Sequence, residues 1–178
     1  MCAPAKLFFP AGRISLGREL TKVFNNHPMR KQPHRETAFR LTGRLTVLCV
    51  SPLDEDHVSL QAIIGHQTKW KLFSARDLNS ALGLMGQHEI AVLLCERDLV
   101  AGTWKDVLEL IRTFSNPPSV IVSSRLADER LWAEALNMGA WDVLAKPFNK
   151  MEVIRSVHSA WRRWHDQITV CKIQSAAG

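Results

Sequence analysis

Four polar side chains close short apolar runs in this sequence: Ser51 after LTVLCV, Glu96 after IAVLLC, Ser124 at the end of SVIVSS and Lys146 after DVLA. A carboxylate, an amine and two hydroxyls can make a permanent ion pair or cap loops. Around a divalent cation they can instead handle the oxygens of a transferred group. A second acidic feature, Asp54-Glu55-Asp56, follows Ser51 within a few residues. Such carboxylates could ligate Mg²⁺, which takes near-octahedral oxygen ligands. They could equally open a helix, whose amino end favours negative charge. Other chemistries lack their motifs: there is no GxxxxGK[ST], no GxGxxG after the first run, no GxSxG and no HExxH. His57, His66, His88, His158 and His165 are scattered and read as surface or satisfied histidines, so the chain is expected not to be an enzyme.

Strands and helices must alternate to place those four residues at one edge. The first strand is 45–50, and its helix carries Val58, Leu60, Ile63 and Ile64 before Gly65. A weaker strand, 70–75, precedes a helix with Leu78, Ala81, Leu82 and Met85 at helical spacing. The third strand, 90–95, is continuous and apolar, as a strand buried on both faces should be. Thr103 and Asp106 are spaced like a capping box for the third helix, which Asn116-Pro117-Pro118 stops. The fourth strand, 119–124, leads to a helix over about 128–138 with Gly139 as its terminal glycine. A short strand, 142–145, ends at Lys146-Pro147, and Asn149 and Glu152 open the last helix. Five strand–helix repeats predict an α/β fold: a five-stranded parallel sheet, doubly wound as (βα)5, with ligands at the carboxyl ends of the strands.

The whole chain has 178 residues and a net charge of +6, with ordinary globular composition. The charge is uneven: residues 1–44 hold nine Lys/Arg against Glu19 and Glu36, while 45–178 hold 14 basic and 15 acidic residues. The expected organisation is a basic N-terminal extension (1–43), a domain (44–166) and a C-terminal tail (167–178). The basic arm could contact nucleic acid, although a nucleic-acid role is the weaker reading. No apolar run reaches the roughly 18 residues of a membrane span, so a cytoplasmic protein is expected. Cys2, Cys49, Cys95 and Cys171 show no metal or redox spacing, and Cys49 and Cys95 read as small buried residues.

Residues 45–165 resemble the receiver domain of bacterial two-component response regulators, a CheY-like flavodoxin fold. The resemblance rests on SVIVSSRLADERLWAEALNMGAWDVLAKPF: a hydroxyl residue ending the fourth strand, a Gly-Ala pair, and Lys-Pro-Phe after the fifth. It implies that Ser124 is the switch hydroxyl and that Lys146, with Pro147, contacts phosphoryl oxygens. It also implies an aspartate at the end of the third strand that accepts a phosphoryl group from a histidine kinase. Two acidic residues after the first strand would help that aspartate bind Mg²⁺.

The chain departs from this pattern where the chemistry would occur. The acidic pair falls at Ser51 and Pro52, and Glu96 occupies the phosphoacceptor position, with Asp98 as a displaced alternative. No cofactor is expected, Mg²⁺ entering only if Asp54–Asp56 rescue the site. Glu96–Lys146 could be a permanent ion pair imitating the phosphorylated state, an ordinary strand-end salt bridge, or a working acceptor site. Val143 takes a position often aromatic in receivers, and Trp141 could substitute for it. The expected role is an atypical receiver in phosphorelay signalling, without an output module of its own and with impaired phosphorylation. Its partner would be a signalling protein such as a histidine kinase or downstream regulator, or a second copy. Candidate interface anchors are Trp132 and the run Trp161-Arg162-Arg163-Trp164, with the last helix's core as the alternative place for the two tryptophans.

Overall fold

The computed structural model describes residues 44–100 and 102–176, with side chains as far as Val170. Five strands make one parallel sheet: β1 (Leu45–Val50), β2 (Trp70–Ala75), β3 (Val92–Glu96), β6 (Ser119–Ser124) and β7 (Asp142–Ala145). Their order is β2-β1-β3-β6-β7. The loop after β3 holds a two-residue antiparallel ladder, β4 (Asp98–Leu99) with β5 (Gly102–Thr103). Gly102 sits at a φ of 128°, where a side chain would be strained and would crowd Asp106.

Alternation along each strand separates two cores. Leu48, Val50, Leu93, Cys95, Val120 and Val122 face α2 (Leu78–Gln87), α3 (Trp104–Ile111) and α4 (Glu129–Met138). Val47, Cys49, Val92, Leu94, Ile121 and Leu144 face α1 (Asp54–Ile64) and α5 (Lys150–Ala176). The central strands therefore read as unbroken apolar runs because both of their faces are covered.

The helix ends follow the sequence closely. Thr103 and Asp106 form the capping box of α3, with Asp106 accepting from the Thr103 amide at 2.7 Å. Asp128 caps α4, and Gly139 closes it in the left-handed region at a φ of 106°. Asn149 Oδ1 accepts from the Met151 amide at 2.9 Å at the start of α5. That last helix runs through most of the segment assigned to a tail, as far as Ala176. The basic segment 1–43 lies outside the described residues.

Candidate functional site

The strand-end residues come together around Lys146. Its amide donates to the Ser124 carbonyl at 3.0 Å, fixing the β7 end against β6, and the Lys146-Pro147 bond is cis. The Lys146 side chain turns inward and is only 5% exposed. Its Nζ donates to Glu96 Oε2 at the end of β3 and, at 2.5 Å, to Asp56 Oδ2. Asp56 also accepts from Ser51 Oγ at 2.5 Å, and Ser51 Oγ in turn accepts from the Leu53 amide at 3.1 Å. His57 Nε2 donates to the Ser51 carbonyl at 2.8 Å, while its Nδ1 is buried with no partner among the described residues. The Phe148 ring lies 5.8 Å from Lys146 Nζ, a cation–π contact on the solvent side.

Asp56 is the residue that sequence reasoning placed wrongly. The run Asp54–Asp56 suits either a helix opening or an inward ligand role, and two of its members only open the helix. Asp54 pairs with Arg76, and Glu55 with Arg125, both on the surface. Asp56 instead points into the protein, 3% exposed. The signal was its register: Asp56, Leu60, Ile63 and Ile64 occupy one helical face, so the carboxylate is the first member of a buried stripe.

Other expected residues are placed differently. Ser124 is buried, and its Oγ accepts from the Leu126 amide at 3.0 Å, the loop-capping role. Asp98 is exposed and takes Nε and Nη2 of Arg97 at 2.8 and 2.6 Å, away from Lys146. Val143 packs in the α2–α4 core, whereas Trp141 packs on the α5 side and donates to Ser159 Oγ at 2.9 Å. Trp141 therefore does not fill the Val143 position. Among the interface candidates, Trp132 is 51% exposed and Arg162 and Arg163 are exposed. Trp161 and Trp164 are not surface anchors: they continue the buried stripe of Val153, Val157 and Ala160 on α5.

Two buried thiols flank the cluster from opposite cores. Burial, then the charge of Asp56, pushes the Cys49 thiol up to about 12, Lys146 partly offsetting them. Burial first, then Glu96, also raises Cys95. Both stay protonated and unreactive near neutral pH. Their place in separate cores also rules out a disulfide between them.

The inward donors are engaged with one another. Both inward carboxylates bind one ammonium, and the Ser51 hydroxyl spends its proton on Asp56. Among the described residues, no three His, Cys, Asp or Glu side chains gather to hold a metal ion. The position between the two carboxylates is taken by the Lys146 ammonium.

A doubly wound parallel sheet whose strand ends bring a β3 acid against a lysine matches the arrangement expected of a receiver domain. The chain belongs to the response regulator receiver domain family, whose model matches residues 54–158. The match begins after β1 and so omits Ser51 and Pro52, two of the positions that depart from the pattern, while it includes Glu96. A signal receiver domain of an HD domain-containing protein from Pseudomonas fluorescens Pf-5 is similar in structure. It has 23% identity and a TM-score of 0.64, over 71% of this chain and 93% of that one. The receiver domain of a putative Luxo repressor protein from Vibrio parahaemolyticus matches with 21% identity and a TM-score of 0.65, over 71% and 97%. The response regulator domain of Thermotoga maritima CheB matches with 24% identity and a TM-score of 0.59, over 66% and 96%. At these identities the structures establish the CheY-like fold. No curated protein matches the chain. Among the described residues, no helix is long and apolar enough to cross a membrane.

Proposed function

We propose that this receiver signals by contact with a partner protein in a phosphorelay, with its switch site held by fixed charges and not by phosphorylation. The observation that carries the reading is the sharing of the buried Lys146 ammonium between Glu96 and Asp56. In the family pattern, that lysine contacts phosphoryl oxygens once an aspartate has been modified. Here carboxylate oxygens already occupy it. For Glu96 to accept a phosphoryl group, its oxygen would have to leave the ammonium. A cation would then have to offset the charge on the new oxygens. Asp56 offers little help while it accepts from both Ser51 and Lys146.

The domain then works by binding and catalyses no turnover, and Mg²⁺ has no part in its action. The partner is a signalling protein such as a histidine kinase or downstream regulator. Trp132 and the exposed Arg162 and Arg163 are the available anchors on the outer faces of α4 and α5. The test is intact-mass analysis of the full chain with Mg²⁺ and acetyl phosphate, beside a Glu96→Asp variant. The wild-type chain is expected to gain no phosphoryl group. A stoichiometric phosphoryl adduct on Glu96 would overturn the proposal. A gain confined to Glu96→Asp would identify the glutamate as the block.

A further inference from the structure

His57 takes no part in the pairing of fixed charges, yet its ring is tied into the switch site. Its Nε2 lies 2.8 Å from the Ser51 carbonyl oxygen, six residues back in the chain. A carbonyl can only accept, so Nε2 carries the proton and Nδ1 is bare. Nδ1 is buried with no hydrogen-bond partner among the described residues. The other neutral tautomer would bury an N–H there without an acceptor and set a lone pair against the carbonyl. Both faults are costly, so the surroundings select one tautomer.

We propose that His57 is a positioning residue of the switch site: its Nε2–H fixes the Ser51 peptide so that the Ser51 hydroxyl stays committed to Asp56. This role rests on the fixed-charge reading, because a brace on Asp56 matters there only while Asp56 holds Lys146.

Three bonds pin the corner after β1. The Ser51 amide donates to the Ala75 carbonyl at 3.1 Å, extending the β1–β2 ladder by one residue. The Leu53 amide donates to Ser51 Oγ at 3.1 Å, turning the chain back over the hydroxyl. The third is the His57 bond. The β1–β3 ladder ends at Val50 and Cys95, so the Ser51 carbonyl lies beyond it, and the imidazole takes the place of a strand amide. The Ser51 hydroxyl then donates to Asp56 Oδ2 at 2.5 Å, the same oxygen that accepts from Lys146 Nζ. Without the imidazole, the Ser51–Pro52 peptide can turn and draw the Leu53 amide off the hydroxyl. Ser51 Oγ would lose the restraint that aims it at Asp56. His57 and Asp56 are adjacent on α1, so one helical turn supplies both the carboxylate and the brace for its donor.

The test uses the full chain labelled with ¹⁵N and ¹³C. Long-range ¹H–¹⁵N spectra should show His57 as the Nε2–H tautomer. In a folded His57→Leu variant, the Asp56 Cγ signal, assigned by Asp56→Asn, should shift. Exchange of the Lys146 ammonium with water should quicken by roughly tenfold, as expected for the loss of one such hydrogen bond. His57→Gln, whose side-chain N–H can reach the same carbonyl, should keep both wild-type values. If His57→Leu does not fold, the tautomer and His57→Gln decide. An Nδ1–H tautomer overturns the proposal, as does a folded His57→Leu that moves neither signal. A His57→Gln variant that loses both wild-type values also overturns it, since the ring would then act by shape alone. A phosphoryl adduct on Glu96 of the wild-type chain would sink the fixed-charge reading alone, because the Asp56 signal reports the brace without Lys146.

Discussion

The two halves of the sheet's carboxyl edge are built by different means. On the β6–β7 side, Ser124 and Lys146 are placed by backbone: the Lys146 amide bonds to the Ser124 carbonyl, and the Ser124 hydroxyl caps its own loop. On the β1–β3 side, the strand ends supply Ser51 and Glu96, and a helix residue, Asp56, completes the set. The half resting on local geometry keeps the family's residues. In the half where the family pattern places its phosphoacceptor, Glu96 and Asp56 share the Lys146 ammonium. On the proposed reading, the mechanical frame of the switch is retained while the charge that operates it is permanent.

The strongest way to break this contrast is to remove the shared cation. Lys146→Met leaves Asp56 and Glu96 facing one another while buried. The loss of one member of a buried ion cluster is expected to cost about 3–5 kcal/mol, read as a lower urea midpoint at neutral pH. A loss below about 1 kcal/mol, the range of exposed pairs, would mean that the lysine escapes to solvent and the cluster is not a unit.

A smaller effect separates the two acids. Asp56→Asn should destabilise by about 1–3 kcal/mol, because a charged acceptor bonded to both Ser51 and Lys146 is lost. Glu96→Gln, nearer the surface, should cost less. It should weaken partner binding if the fixed charge holds an active-like state, and unchanged affinity in the folded variant would remove that role. The double variant should be non-additive by about 0.5–3 kcal/mol, as groups sharing one partner are. Strict additivity would separate the acids into independent contacts.

On the β6–β7 side the prediction is modest. Ser124→Ala loses a loop hydrogen bond worth about 0.5–1.5 kcal/mol and should leave partner affinity unchanged. Reduced affinity at full stability would restore a switch role to the hydroxyl.

The smallest effect concerns Cys49, whose thiol is held above its ordinary value of 9.0, at about 12. Because the folded value is raised, its contribution to stability is complete below pH 9.0 and is lost as pH rises toward about 12. Iodoacetamide at pH 8 should therefore label neither Cys49 nor Cys95 until the fold opens. Peptide mapping of the alkylated chain checks this, and rapid labelling of the native chain would contradict it.

The fold was largely legible because its signals are local. Continuous apolar strands, the Thr103–Asp106 box, Asp128 and Gly139 each fix a piece of chain without help from distant residues. The lysine and the β3 glutamate could also be placed, since the ends of parallel strands must share one edge. Asp56 was harder. A carboxylate in a first turn satisfies the helix dipole by itself, so nothing local demands that it turn inward. Only the sheet's closure, bringing Lys146 across from a residue 90 positions later in the chain, gives it a buried partner. Trp161 and Trp164 left two readings open in the sequence, surface anchor by residue type and core by their three-residue spacing, and the structure places both in the core.

The most direct test of the central claim is to observe the Lys146 ammonium in ¹⁵N-labelled protein while Mg²⁺ is added. A lysine shared by two buried carboxylates should give a distinct Nζ resonance protected from solvent exchange, unmoved by Mg²⁺ and lost in the Asp56→Asn/Glu96→Gln variant. An ammonium already in fast exchange with water, or one released as Mg²⁺ binds Asp56 and Glu96, would contradict the fixed-charge account and restore this site to the metal-dependent receivers.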